Sequence, residues 1–192
     1  LSLEKGFSVF VEAATFLSRH DPSLGFIIFG DGPQRKPLAQ QIADAGLADR
    51  IVLAGFHSNL TDDLGSVDLF VIPSFTEGLP CVLLEALVCE IPVVASAVGG
   101  IPEVLEDGLS GYLVPPGNSS ALAHRILDAL ANEERRRGMG QKGRQRVLEN
   151  YTFAVTGPIY ERLFQQLAQS GRRQRGVESR DRHSSGKILI SQ

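Results

Sequence analysis

Two carboxylates, Glu77 and Glu85, bracket the stretch Ser74-Phe-Thr-Glu-Gly-Leu-Pro-Cys-Val-Leu-Leu-Glu85, where the sequence concentrates groups suited to polar chemistry. Pro80 suits the first turn of a helix, because its missing N–H would have no partner there anyway. The amides of Gly78, Leu79, Cys81 and Val82 then lie near a helix N-terminus, whose free donors and dipole favour an anion. Gly78 removes a side chain that would hold a phosphate at a distance. Glu77, in a loop at a strand end, can reach a polar ligand group. Glu85, a turn and a half into the helix, offers two acceptor oxygens, which suits the vicinal hydroxyls of a ribose. Taken singly, Glu77 reads equally as a solvated loop charge and Glu85 as the exposed face of an amphipathic helix. Lys5, at the mouth of an earlier helix, can neutralise a diphosphate as a point charge, although most surface lysines are simply solvated.

The elements that must position these groups follow from periodicity. Phe7, Phe10, Val11, Ala14 and Leu17 recur at helical spacing, predicting a helix from Lys5 to Arg19 that Asp21-Pro22 ends. Short apolar runs at Gly25–Phe29, Ile51–Ala54, Asp68–Pro73, Pro92–Ser96 and Gly111–Val114 read as strands. Between them, helices are predicted at Arg35–Ala45, Val82–Glu90 and Pro102–Glu106, with at most a short one at Leu60–Gly65. Asn118 or Ser119 can cap a helix reaching about Asn132, with Leu122, Ile126, Leu127 and Leu130 inward. Further helices are expected at Glu134–Glu149 and Val155–Gln169. Apolar strands alternating with helices call for an open, doubly wound, Rossmann-like parallel sheet covered on both faces. In such a sheet ligands bind beyond the carboxyl ends of the strands, where four loops fall: Gly30–Pro33, Gly55–Ser58, Ser74–Pro80 and Ala97–Pro102. From Ser170 to Gln192 the composition turns to Arg, Ser, Gly and Gln, which predicts a disordered tail that Ile188-Leu-Ile190 is too short to rescue.

Composition narrows the function classes. The chain has 192 residues, 43% hydrophobic and 21% charged, enough for one domain with a real core. A net charge of −3 and the absence of Trp argue against nucleic acid as a partner. No apolar stretch approaches the ~20 residues needed to span a bilayer. Cys81 and Cys89 form no disulfide framework or zinc pattern and read as buried free thiols of a reducing cytosol. Gly30-x-Gly32 after a strand resembles the start of a dinucleotide-binding turn. Arg35 stands where its third glycine belongs, and Ala54-Gly55 end the next strand without an acidic residue, which lowers a dehydrogenase reading.

From Leu1 to about Gln169 the chain resembles the carboxyl-terminal domain of the retaining GT-B glycosyltransferases of family four, the group 1 glycosyltransferases. The resemblance rests on Leu3-Glu-Lys-Gly6, Phe29-Gly-Asp-Gly-Pro33, Val52-Leu-Ala-Gly-Phe56, Pro73-Ser-x-x-Glu77-Gly-Leu-Pro and Leu83-Leu-Glu-Ala-Leu87. It continues through Pro92-Val-Val-Ala-Ser96, Gly99-Gly-Ile-Pro-Glu103 and Gly108-x-x-Gly-Tyr-Leu-Val-Pro115, all in the family's order. The resemblance implies that Glu77 contacts the donor sugar, that Glu85 holds the ribose, and that the amides after Glu77 bind the diphosphate with Lys5. It also implies a nucleobase near Phe56-His57-Ser58 and a nucleotide near the Gly30/Gly32 turn.

The intact protein is then expected to transfer a sugar from a nucleotide-diphosphate donor to a hydroxyl acceptor with retention. Glu77 would orient the sugar, while Lys5 and the helix amides would stabilise the departing diphosphate. No Asp-x-Asp motif is present, and no metal or other cofactor is expected. The family's first strand, the Arg before the position of Leu1 and the acceptor-binding amino-terminal domain are expected outside this chain, which alone is not expected to be active. The resemblance further implies a cytoplasmic location, extending to the inner face of the membrane, with any peripheral membrane association made through the amino-terminal half. A nucleotide-sugar 2-epimerase shares the architecture, and a non-catalytic nucleotide-binding module is the rival from another class.

Overall fold

The computed structural model describes the backbone of residues 1–57 and 64–181 and the side chains through residue 168. Residues 1–149 form one compact unit and the chain from Asn150 onward a second.

The first unit opens with a single 3-10 turn, Leu3–Lys5, and helix α1 follows at Phe7–His20. The sequence predicts one helix starting at Lys5, but Gly6 separates the two elements with a left-handed φ of 65°. A Cβ at Gly6 would collide with the Pro73 carbonyl oxygen, so only glycine lets this turn lie against that strand end. Next come β1 (Phe26–Phe29), α2 (Arg35–Asp44), β2 (Ile51–Gly55) and β3 (Phe70–Ile72). The chain then alternates through α3 (Cys81–Val88), β4 (Val93–Ser96), α4 (Ile101–Val104) and β5 (Gly111–Val114). Helices α5 (Ser119–Leu130) and α6 (Glu133–Asn150) follow. Asn118 caps α5, its Oδ1 accepting from the Ala121 amide at 2.9 Å. The short helix expected at Leu60–Gly65 and the loop residue Ser58 lie largely or wholly outside the described residues.

All strand pairs are parallel, as expected of an α/β fold, but they make two sheets, β1-β2 and β3-β4-β5. The expected open parallel α/β architecture is present, with its strands divided between two sheets and one face of the smaller left uncovered. In the larger sheet β4 is buried throughout, and α5 packs on β4 and β5 while α1 packs on α5. In the smaller sheet Ile27 stands opposite Val52, and these two are 47% and 58% exposed. Their neighbours Ile28 and Ile51 are buried. Side chains alternate along a strand, so one face of β1-β2 meets the core and the other meets solvent.

Cys81 and Cys89 are free thiols, but both are exposed rather than buried. Cys81 begins α3 and Cys89 follows its last turn, so neither faces the stripe formed by Leu83, Ala86 and Leu87. In the second unit, α7 (Phe153–Asp181) continues past Gln169, where the sequence predicts disorder from Ser170. Arg and Gln are good helix formers and can propagate a turn already nucleated. Residues 182–192, with Ile188-Leu-Ile190, lie outside the described residues. No described helix is long and apolar enough to cross a membrane.

Candidate functional site

The loops at the carboxyl ends of the strands join in pairs. The Gly30 amide donates to the Gly55 carbonyl at 2.6 Å, tying together the loops after β1 and β2. The Gly100 amide donates to the Gly78 carbonyl, also at 2.6 Å, tying together those after β3 and β4. A Cβ at Gly99, whose φ is 54°, would strike the Glu77 carbonyl oxygen, so a glycine supports the backbone of the key carboxylate from below. On the other side, the Phe75 amide donates to the Glu4 carbonyl at 2.7 Å. The 3-10 turn is therefore fastened to the end of β3, which carries Lys5 to Glu77.

Lys5 Nζ donates to both carboxylate oxygens of Glu77, at 2.8 and 3.0 Å. Ser74 Oγ donates to Glu77 Oε1 at 2.7 Å. The lysine side chain is 45% exposed, whereas that of Glu77 is only 9% exposed. The pair thus has one partly solvated cation and one carboxylate held in the protein. A bidentate contact of this kind is charge-assisted at both oxygens, though the exposed lysine limits its contribution to stability.

Pro80 does not occupy the first helical position. It precedes α3 with extended dihedrals (φ −71°, ψ 124°), and the helix starts at Cys81. No capping side chain binds there, and among the described residues the amides of Gly78, Leu79, Cys81 and Val82 donate no hydrogen bond. The helix start with unbonded amides expected from the sequence is present, shifted by one residue. Nothing lies within 4 Å of where a Gly78 Cβ would stand, so protein packing does not demand this glycine. Glu85 lies one turn into α3, half-buried, and pairs with none of the described residues.

A cleft of about 560 Å³ opens between β1 and β3. Of the predicted site residues, Lys5, Gly30, Glu77 and Val82 line it; Gly32, Phe56, His57, Gly78, Leu79 and Glu85 do not. Phe56 is 76% exposed at the end of β2, and the His57 ring stands edge-on to Phe29 at 5.1 Å. Sequence reasoning does not single out Ser74 or Gly99, and it names Gly6 only beside Lys5. The small residue directly after a strand end and the glycines within the quoted motifs were the available signals.

Residues 1–146 match the family model described as glycosyl transferases group 1. The chain belongs to that family, and its fold is that of the GT-B glycosyltransferases. It is 33% identical over 138 residues to N-acetyl-alpha-D-glucosaminyl L-malate synthase of Bacillus anthracis, covering 72% of this chain and 36% of that protein. To alpha-D-kanosaminyltransferase of Streptomyces kanamyceticus it is 31% identical, covering 87% and 44%. Among solved structures, sucrose-phosphate synthase of Thermosynechococcus elongatus superposes with a TM-score of 0.80 at 28% identity, covering 88% of this chain and 44% of that one. Anabaena HepE in complex with UDP and glucose gives 0.77 at 28% identity, covering 85% and 45%. The chain therefore spans less than half the length of these relatives.

Proposed function

We propose that this chain is the donor-binding half of a retaining glycosyltransferase, which transfers a sugar from a nucleotide-diphosphate sugar to a hydroxyl acceptor. The observation that carries the reading is the convergence of Lys5, Glu77 and the unbonded amides before and within the first turn of α3 at one strand end. Complexes of UDP with Anabaena HepE and with TarM of Staphylococcus aureus, both similar in fold, support it.

In this reading the diphosphate lies against the amides of Gly78 to Val82, with the dipole of α3 behind them. Lys5 adds a point charge where negative charge grows on the leaving group, which favours the transition state over the ground state. Glu77 orients the sugar through its hydroxyls. Glu85 accepts from the ribose hydroxyls, and Phe56 and His57 border the base. The acceptor is held by a further domain of the intact protein, no metal is assigned a role, and the reaction takes place in the cytoplasm.

Titration calorimetry of the full-length protein with UDP, GDP and ADP tests the donor site. The proposal expects saturable binding of at least one of the three. A folded full-length protein that binds none of them would end this reading.

A further inference from the structure

The geometry points to Ser74 as the positioning residue that fixes the plane of the Glu77 carboxylate, and so the direction in which its free oxygen meets the donor sugar. This inference rests on the donor-site reading above.

Ser74 is 1% exposed, one of few polar side chains in the core. Its hydroxyl donates to Glu77 Oε1 at 2.7 Å. The backbone around it is fastened on both flanks. Gly6 packs against the carbonyl of Pro73 just before it, and the Phe75 amide just after it is bonded to Glu4. Glu77 itself rests on Gly99. The serine hydroxyl is thus a fixed donor on a fixed strand end.

Lys5, the other partner of the carboxylate, is different in kind. It is long and nearly half exposed, and it spans both oxygens. A diphosphate at the α3 terminus competes with Glu77 for that ammonium. Once Lys5 turns to the phosphate, Ser74 still holds Oε1, and Oε2 is left as the acceptor facing the sugar. Without the hydroxyl, the carboxylate can rotate about its terminal torsion, which is broad and two-fold. The role is therefore specific to the sugar and not to the diphosphate.

The test uses the full-length protein as wild type, Ser74→Ala, Ser74→Thr, Glu77→Ala and the Ser74→Ala/Glu77→Ala double variant. Affinities are measured for UDP-glucose, UDP-N-acetylglucosamine, GDP-mannose and ADP-glucose, each against its own free nucleoside diphosphate. Thermal melts run in parallel.

Ser74→Ala is expected to leave nucleoside-diphosphate affinity within about twofold. It is expected to reduce the extra affinity contributed by the sugar about tenfold or more, the scale of one hydrogen bond to a charged group. Ser74→Thr, which keeps the hydroxyl, restores part of that loss. In the Glu77→Ala background, Ser74→Ala has no further effect on sugar affinity, because there is no carboxylate left to position.

Equal losses for nucleotide and nucleotide-sugar, an unchanged sugar increment, or a Ser74→Ala effect that persists without Glu77 would each overturn the inference while leaving the donor site intact. A wild-type protein that binds none of these ligands removes the donor-site reading itself, and the inference with it.

Discussion

The two sheets of this domain share a strand type but not a way of being held. In β3-β4-β5 the central strand β4 is buried throughout, and the loop after β3 rests on Gly99 and holds Glu77 in a defined pairing with Lys5 and Ser74. Around β1-β2 one face is bare, with Ile27 against Val52 in solvent, and its loop end presents the exposed ring of Phe56. In the proposed donor reading the difference separates two tasks. A diphosphate and a sugar need donors and acceptors fixed to a fraction of an ångström, whereas the flat face of a base can be met by an open aromatic surface.

Substitutions beside the two sheets are expected to have the largest effects. Leu87 is fully buried on α3, and truncating such a residue to Ala costs about 2–5 kcal/mol. Val52→Ala on the bare face should cost about 0.5 kcal/mol or less. Urea midpoints of the two variants measure this directly. Equal losses would mean that the smaller sheet is as firmly built as the larger.

A smaller effect is expected from Gly99→Ala, since an L-residue at φ 54° is strained and its Cβ meets the Glu77 carbonyl. Strain of this kind costs on the order of 1–3 kcal/mol, and the displaced Glu77 should lose sugar affinity as well. Gly25→Ala is the control, because nothing lies within 4 Å of where its Cβ would stand. Similar melting curves for the two variants would deny Gly99 its supporting role.

The smallest effect concerns the stop of α1. Ser23 lowers the pKa of Asp21, chiefly through its hydroxyl and then through its amide. A lowered folded pKa means that the unfolded chain binds the proton more tightly. The stabilisation is therefore present above the ordinary carboxylate value and lost as pH falls through the lowered one. Asp21→Ala should melt slightly below wild type near neutral pH and level with it at about pH 2. A gap that widens with acid would reverse the assigned sign.

Much of this was legible in the residues. The strand runs at Phe26–Phe29 and Gly111–Val114 read correctly because continuous apolar residues bounded by glycine leave few alternatives. Asn118 could be read as a cap because its side chain acts on its own backbone. What escaped is what depends on distant partners. That Gly6 must lie on Pro73, and that Gly99 must lie under Glu77, follows from loops meeting across the fold, which no local pattern reveals. The bare face of β1-β2 escaped for a related reason. Ile27 and Val52 are as apolar as core residues, and only the packing of the helices shows which face stays open. The exposure of Cys81 and Cys89 likewise depends on which way α3 turns its stripe.

The proposed donor site has the Glu77–Glu85 segment cradling a nucleotide, with Glu85 on the ribose. Its most direct measurement compares a nucleoside diphosphate with its 2′,3′-dideoxy analogue on full-length wild type and Glu85→Ala. Wild type should favour the ribose form about 10- to 100-fold, the scale of hydrogen bonds to a carboxylate, and Glu85→Ala should lose that preference while still binding both. A Glu85→Ala variant that discriminates as strongly as wild type would place the ribose elsewhere and contradict the assignment.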